Sequence, residues 1–247
     1  MECYHCNSPD CQLCNQLFWP NGEGASCLYM FQAIKPQAEN LKIYLDKVTQ
    51  YIKTHSSEDR PIKLVIVGKD PYPTNPIGIP FAKQTLKDTF ESDSGKYLFS
   101  SMGVDVSRWM QSNASVETFY DKMLENGIFF LNICYRFLNH KLQKNIHSIY
   151  LKCANSVNRA ILDKSQNIVF CGDACVGIFW ANGYTAYQKG SSGNYIVYPN
   201  ANYACHPSDP KKSGNWNQYW GSQDKLLNVL EPNGSGPIHN AIHNINA

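Results

Sequence analysis

Charge is what this 247-residue sequence has least of. Asp, Glu, Lys and Arg together make up only 17% of it, where about 25% is usual for a globular domain. Twenty-two basic residues stand against twenty acidic ones, a formal net charge of +2. That balance excludes a chain coated in lysine, so any grip on a polyanion has to come from a local patch. The 43% hydrophobic share excludes global disorder. No apolar run approaches the roughly 20 residues needed to span a bilayer, so no membrane partner is expected. The chain does not open on a basic, apolar leader, and the expectation is a soluble intracellular protein of cytoplasm or nucleus. There is no internal repeat and no low-complexity stretch.

Cysteine, by contrast, is plentiful: ten residues, five of them within the first 27. Cys3, Cys6, Cys11 and Cys14 form C-x₂-C-x₄-C-x₂-C. Thiolates at i and i+3 grip one ion, so a structural Zn²⁺ or iron–sulfur site is one reading. Free thiols and disulfides are the others; His5 and Cys27 are substitute ligands. Residues 1–37 are therefore expected to be a Cys-rich extension, and residues 38–247 the main domain. Cys171, Cys175 and Cys205 are expected to pack as small hydrophobes.

Periodicity predicts a helix from Ala38 to Thr54, and the run Lys63 to Val67 (KLVIV), closed by Gly68, predicts a buried parallel strand. Asp70 to Pro80 holds four prolines and no periodicity. Thr85 to Phe99 reads as partly helical. Val116 to Glu125 is a clearer helix, with Gly127 where a C-terminal capping glycine belongs. Further strands are predicted at Gly127 to Ile133, Asn167 to Cys171 and Tyr195 to Pro199, with a helix over Ile146 to Leu162. Tyr219 to Leu230 can be helical, and Pro232 to Ala247 reads as a loosely held tail. Strands alternating with helices predict an α/β fold with a central, mostly parallel sheet of four strands and a site at their carboxyl ends.

Three short pieces stand at those predicted ends: Gly68-Lys69-Asp70-Pro71-Tyr72-Pro73 with Gly78-Ile79-Pro80-Phe81 after it, Phe130-Leu131-Asn132, and His206-Pro207-Ser208. In order and spacing they resemble the uracil-DNA glycosylase family, whose best-known members read GQDPYH, LLLN and HPSP. The poxviral form, GxDPYP followed by G-x-P-F, is nearer still. The resemblance covers about 180 residues, Pro61 to Ile242, and implies a three-layer α/β/α architecture.

It also implies a chemistry. Breaking an N-glycosidic bond puts positive charge on the sugar and negative charge on the departing base, and an enzyme must stabilise both. The target nucleotide must first be flipped from the stack. On this resemblance Asp70 positions the attacking water and favours the cationic sugar, and His206 donates to O2 of the base as the anion forms. Asn132 reads the uracil edge, accepting from N3–H and donating to O4; cytosine presents the reverse pattern. Phe81 stacks on the base, Tyr72 closes the C5 side against thymine's methyl, and Lys69 contributes to the base site through its backbone. Gly172, Ser208, Lys211 and Lys212 are the DNA-binding candidates. No cofactor is required for catalysis.

The sequence departs from the family at Lys69, in place of glutamine, at Pro73, and at Asp173, where a phosphate-binding serine is usual. The leucine wedge near Pro210 and the proline-rich loop after Phe81 are absent. Trp216, Tyr219 and Trp220 are either an apolar plug replacing the wedge or core. These departures concern DNA handling, not the base pocket. The function expected is a monofunctional DNA glycosylase acting on uracil. The alternatives are a glycosylase for a 5-substituted cytosine in antiviral defence, and a non-catalytic DNA-binding replication accessory factor.

Overall fold

Four strands, β1 (Ile62–Gly68), β2 (Ile128–Asn132), β3 (Ser165–Cys171) and β4 (Ala201–Ala204), pair in the order β2-β1-β3-β4, every pair parallel. The computed structural model describes residues 37–69, 71–72, 75–132, 158, 161–172 and 200–247. Asp70, Pro73, Asp173, Cys175 and the N-terminal set Cys3, Cys6, Cys11 and Cys14 lie outside them, as does the Tyr195 to Pro199 segment. Among the described residues no group of His, Cys, Asp and Glu is arranged to hold a metal ion. No described helix is long and apolar enough to cross a membrane.

The strands form where a continuous apolar run can be covered on both faces. In β1 every residue but Lys63 is buried, and β2 is buried throughout. The registers Leu64↔Ile128 and Val65↔Ile168 stack these runs into one core. Helix α1 (Gln37–Thr54) lays Leu41, Tyr44, Leu45 and Val48 inward at i, i+3, i+4, i+7. The Tyr44 hydroxyl also accepts the Phe130 N–H at 2.8 Å. Three short helices follow β1: α2 (Leu86–Phe90), α3 (Gly95–Ser101) and α4 (Val106–Gln111). Helix α5 (Val116–Glu125) occupies the predicted residues, capped by the Ser115 hydroxyl, which accepts the Thr118 N–H at 3.1 Å. It buries Phe119, Tyr120, Met123 and Leu124 against β2 and α1. Gly127 ends it at φ 78°. Phe90, Phe99 and Phe119 meet edge to face at centroid separations of 5.1 to 5.4 Å, and Tyr120 meets Phe130 at 5.2 Å.

The strand expected at Tyr195 to Pro199 lies outside the described residues; the fourth described strand, which no expectation covered, is Ala201–Ala204, pairing Phe170↔Tyr203 and Cys171↔Ala204. It is a four-residue edge strand, half-buried except at Ala204, and has no apolar run to announce it. One expectation needs correcting: the C-terminal segment is not loosely held. After α6 (Trp216–Tyr219) and α7 (Lys225–Leu230) comes α8 (Pro237–Asn246), which buries Ile238, Ala241, Ile242 and Ile245 and packs on β1 and α5. Pro237 suits its first turn. The Glu231 carboxylate accepts the N–H of Ile238 at 2.9 Å and of His239 at 2.8 Å. A Cβ at position 236 would stand 2.4 Å from the Glu231 carboxyl carbon, so only glycine fits beside this cap.

Glu231→Ala is expected to lower the unfolding free energy by about 1–3 kcal/mol, the usual effect of orphaning donors held by a charged acceptor. Urea unfolding followed by circular dichroism will read this as a lower midpoint with an unchanged slope. A loosely held tail would give no change.

Candidate active site

Parallel pairing brings the carboxyl ends of all four strands to one edge of the sheet. The chain runs outward from β1 to β2, then returns across β1 to β3 and continues to β4. The reversal falls at the ends of β1 and β3, where open α/β sheets leave a crevice. Both strands run into glycine there. Gly68 is in register with Asn132, and a Cβ on it would lie 2.8 Å from Asn132 Oδ1 and 2.8 Å from Phe81 Cζ. Gly172 follows β3 at φ 90°, and its missing Cβ would lie 3.2 Å from His206 Cβ. Close approach to the sheet edge by Asn132, Phe81 and His206 thus requires these two glycines.

The three side chains line one cavity of about 280 Å³, with Gly68, Lys69, Pro71, Tyr72 and Ser208. This is at the small end of ligand pockets. Lys69 and Pro71 are the chain neighbours of Asp70, which itself is outside the described residues. The Asn132 backbone carbonyl accepts from Asn158 Nδ2 at 2.8 Å, tying the end of β2 to the helical turn before β3. The Asn132 side chain is buried, and among the described residues its Nδ2 has no hydrogen-bond partner. An unmet buried donor costs about 1–3 kcal/mol, which an acceptor on a ligand would recover. Phe81 holds φ 61°, an unusual conformation for an aromatic residue. Its ring meets Phe130 edge to face at 6.1 Å and connects the cavity wall to the aromatic core.

His206 is held from both sides of the chain. The Trp220 indole N–H donates to the Cys205 carbonyl at 2.7 Å, and that of Trp216 to the Pro207 carbonyl at 3.1 Å. Asn215 closes the clamp, accepting from Cys205 N–H at 2.8 Å and donating to the Tyr203 carbonyl at 2.7 Å. Trp216, Tyr219 and Trp220 are buried, so they are core and loop supports and not an apolar plug. The Ser208 backbone N–H points to His206 Nδ1 at 3.2 Å, and Ser208 Oγ lies 2.7 Å from the same nitrogen. A backbone N–H can only donate, so Nδ1 is the bare nitrogen and the neutral ring carries its proton on Nε2. Burial pushes the His206 pKa down to about 4, against the upward pull of Asp209 and with a smaller downward push from Lys69.

Of the other candidates, Lys69, Tyr72 and Ser208 face the cavity, whereas Lys211 and Lys212 do not line it. Lys212 sits instead over the rings of Trp216 and Tyr97, 4.8 and 5.4 Å from their centroids. Cys171 is fully buried, and burial raises its thiol pKa, as suits a small hydrophobe. Lys83, Ser92, Asp93 and Ser94 also line the cavity and were not legible as site residues. They belong to the α2–α3 region, whose sequence carries no motif. No family model matches the chain, and no curated protein matches it.

Between pH 6.5 and about 4 the unfolded chain holds a proton on His206 that the folded chain does not. The stability this group contributes is therefore full above 6.5 and is lost as the pH falls through 4. Nitrogen-15 NMR, with the signal assigned by its loss in His206→Gln, is expected to show a neutral ring protonated at Nε2 at pH 6. Its titration midpoint is expected near 4, and a midpoint near 6.5 would contradict the assignment.

Proposed function

We propose that this chain is a monofunctional DNA glycosylase of the uracil-DNA glycosylase type, with a three-layer α/β/α architecture, that takes uracil from DNA by water attack. One observation carries the reading: a neutral imidazole with its proton on Nε2 and an unpartnered Asn132 amide donor line the same base-sized cavity. Two fixed donors are what a departing uracil anion and its O4 require. In this reading His206 donates to O2 and needs no charge of its own, which agrees with its lowered pKa. Asn132 donates to O4 and accepts from N3–H, and the amino group of cytosine would leave the Asn132 donor unpaired. Phe81 stacks on the base. Asp70 orients water at the sugar and favours its developing positive charge. The DNA is the partner, with Ser208, Lys211, Lys212 and the backbone at Gly172 as its phosphate contacts.

Tyr72 lines this cavity with its hydroxyl 2.8 Å from Ser92 Oγ. A phenol anchored there favours a base without a 5-substituent, so uracil is the preferred target over a bulky modified cytosine. The test is incubation with single-stranded and duplex oligonucleotides carrying uracil, thymine, cytosine or 5-modified cytosine, scored for free base and abasic sites. Uracil release is expected, falling by orders of magnitude in Asp70→Asn and His206→Ala. DNA binding with no base released from any substrate would overturn the enzyme and leave a non-catalytic accessory factor.

A further inference from the structure

We infer that Ser92 is the positioning residue that sets the cavity's discrimination at C5, acting through Tyr72; the inference rests on the glycosylase reading above. The hydroxyl of Ser92 has one proton and two lone pairs. It donates to the Thr89 carbonyl at 2.8 Å and accepts the Gly95 N–H at 2.9 Å. Its proton is thereby committed, so the contact at 2.8 Å with Tyr72 must be donated by the phenol. All three capacities of Ser92 are used, and the tyrosine is tethered to the link between α2 and α3.

The anchor is itself rigid. Thr89 and Ser92 are buried, at 0% and 7% exposure. A Cβ at position 95 would come within 1.8 Å of the Thr89 carbonyl oxygen, so Gly95 is what allows the two strands of backbone to meet. Thr89 also accepts the Lys83 backbone N–H on its hydroxyl at 2.9 Å. The Lys83 ammonium in turn stands 5.0 Å from the centre of the Tyr72 ring. Tyr72 is therefore fixed at its hydroxyl by Ser92 and covered on one face by Lys83, and both supports converge on Thr89.

Selection against a 5-methyl group by a wall works only while the wall cannot swing away. A methyl against a fixed wall is rejected by roughly 10- to 200-fold, and a tyrosine freed to rotate gives up that factor. Tyr72→Phe removes the tether while leaving Ser92 bonded to Thr89 and Gly95, so it tests the bond without undoing the anchor. Ser92→Ala removes it from the other end, and Ser92→Thr retains the hydroxyl.

The experiment measures calorimetric affinity for free uracil and free thymine, and kcat/KM for single-stranded oligonucleotides carrying either base. The uracil-over-thymine ratio is expected to fall about tenfold or more in Tyr72→Phe and in Ser92→Ala. It should fall no further in the double variant, because the Tyr72–Ser92 bond is already lost in either single variant. Ser92→Thr is expected to restore it. A ratio unchanged in both single variants, or effects that simply add, would overturn the inference, as would a wild-type protein that binds neither base. Intact uracil binding and discrimination without base release would instead sink the glycosylase reading and leave the positioning role of Ser92 standing.

Discussion

No side chain fits at position 68, and the candidate site depends on that vacancy. Parallel register sets Gly68 beside Asn132, and Phe81 turns in from the opposite direction until its ring reaches the place a Cβ would occupy. Filling that space with one methyl group would push the carboxamide and the ring apart. Phe81 also holds a left-handed backbone; strain of about 1–3 kcal/mol is tolerated where surrounding packing over-determines the conformation. Here that packing includes the edge-to-face contact with Phe130.

Around this constraint the hydrogen bonds that hold the cavity's side chains in place come from neutral groups, chiefly hydroxyls, indoles and backbone amides, while the charged Lys69, Lys83 and Asp93 also line the cavity. Ser208 fixes the tautomer of His206, two tryptophans and Asn215 fix the loop that carries it, and Ser92 fixes Tyr72. Such committed groups are worth more in a low-dielectric interior than in water, and cost more when left unmet. The unpartnered Asn132 amide stands out against that background. Burial outweighing the attraction of Asp209 keeps the imidazole neutral, and in the proposed reaction a neutral donor would not repel the sugar cation.

Much of this was legible in the sequence, for particular reasons. KLVIV and IFFLN are runs that only a sheet covered on both faces can bury, and they became β1 and β2 almost residue for residue. The cavity walls Asn132, Phe81, Tyr72 and His206 belong to the short motifs that carry the family resemblance, and the resemblance is what marks them as site residues in the sequence. Helix α8 was also readable: Ile238, Ala241, Ile242 and Ile245 are spaced for one face, but the polar stretch Pro232 to Gly236 obscured them. The strand Ala201–Ala204 was not readable, because an edge strand is defined by its ladder and carries little apolar pattern of its own. Ser92 and Thr89 were equally silent, since a serine in a polar turn has no signature until its partners are known.

The sequence by itself determined the alternation of strands and helices, the buried runs and the residue types at the strand ends, because these are properties of neighbouring residues and their periodicity. Only the tertiary structure decided which nitrogen of His206 carries the proton, why positions 68 and 95 must be glycine, and what holds Tyr72 in place. Those depend on contacts between segments far apart in the chain, between β1 and β2, between the Tyr72 loop and the α2–α3 link, and between the His206 loop and α6. A hydrogen-bond partner twenty residues away is chosen by geometry in space, and no local pattern records it.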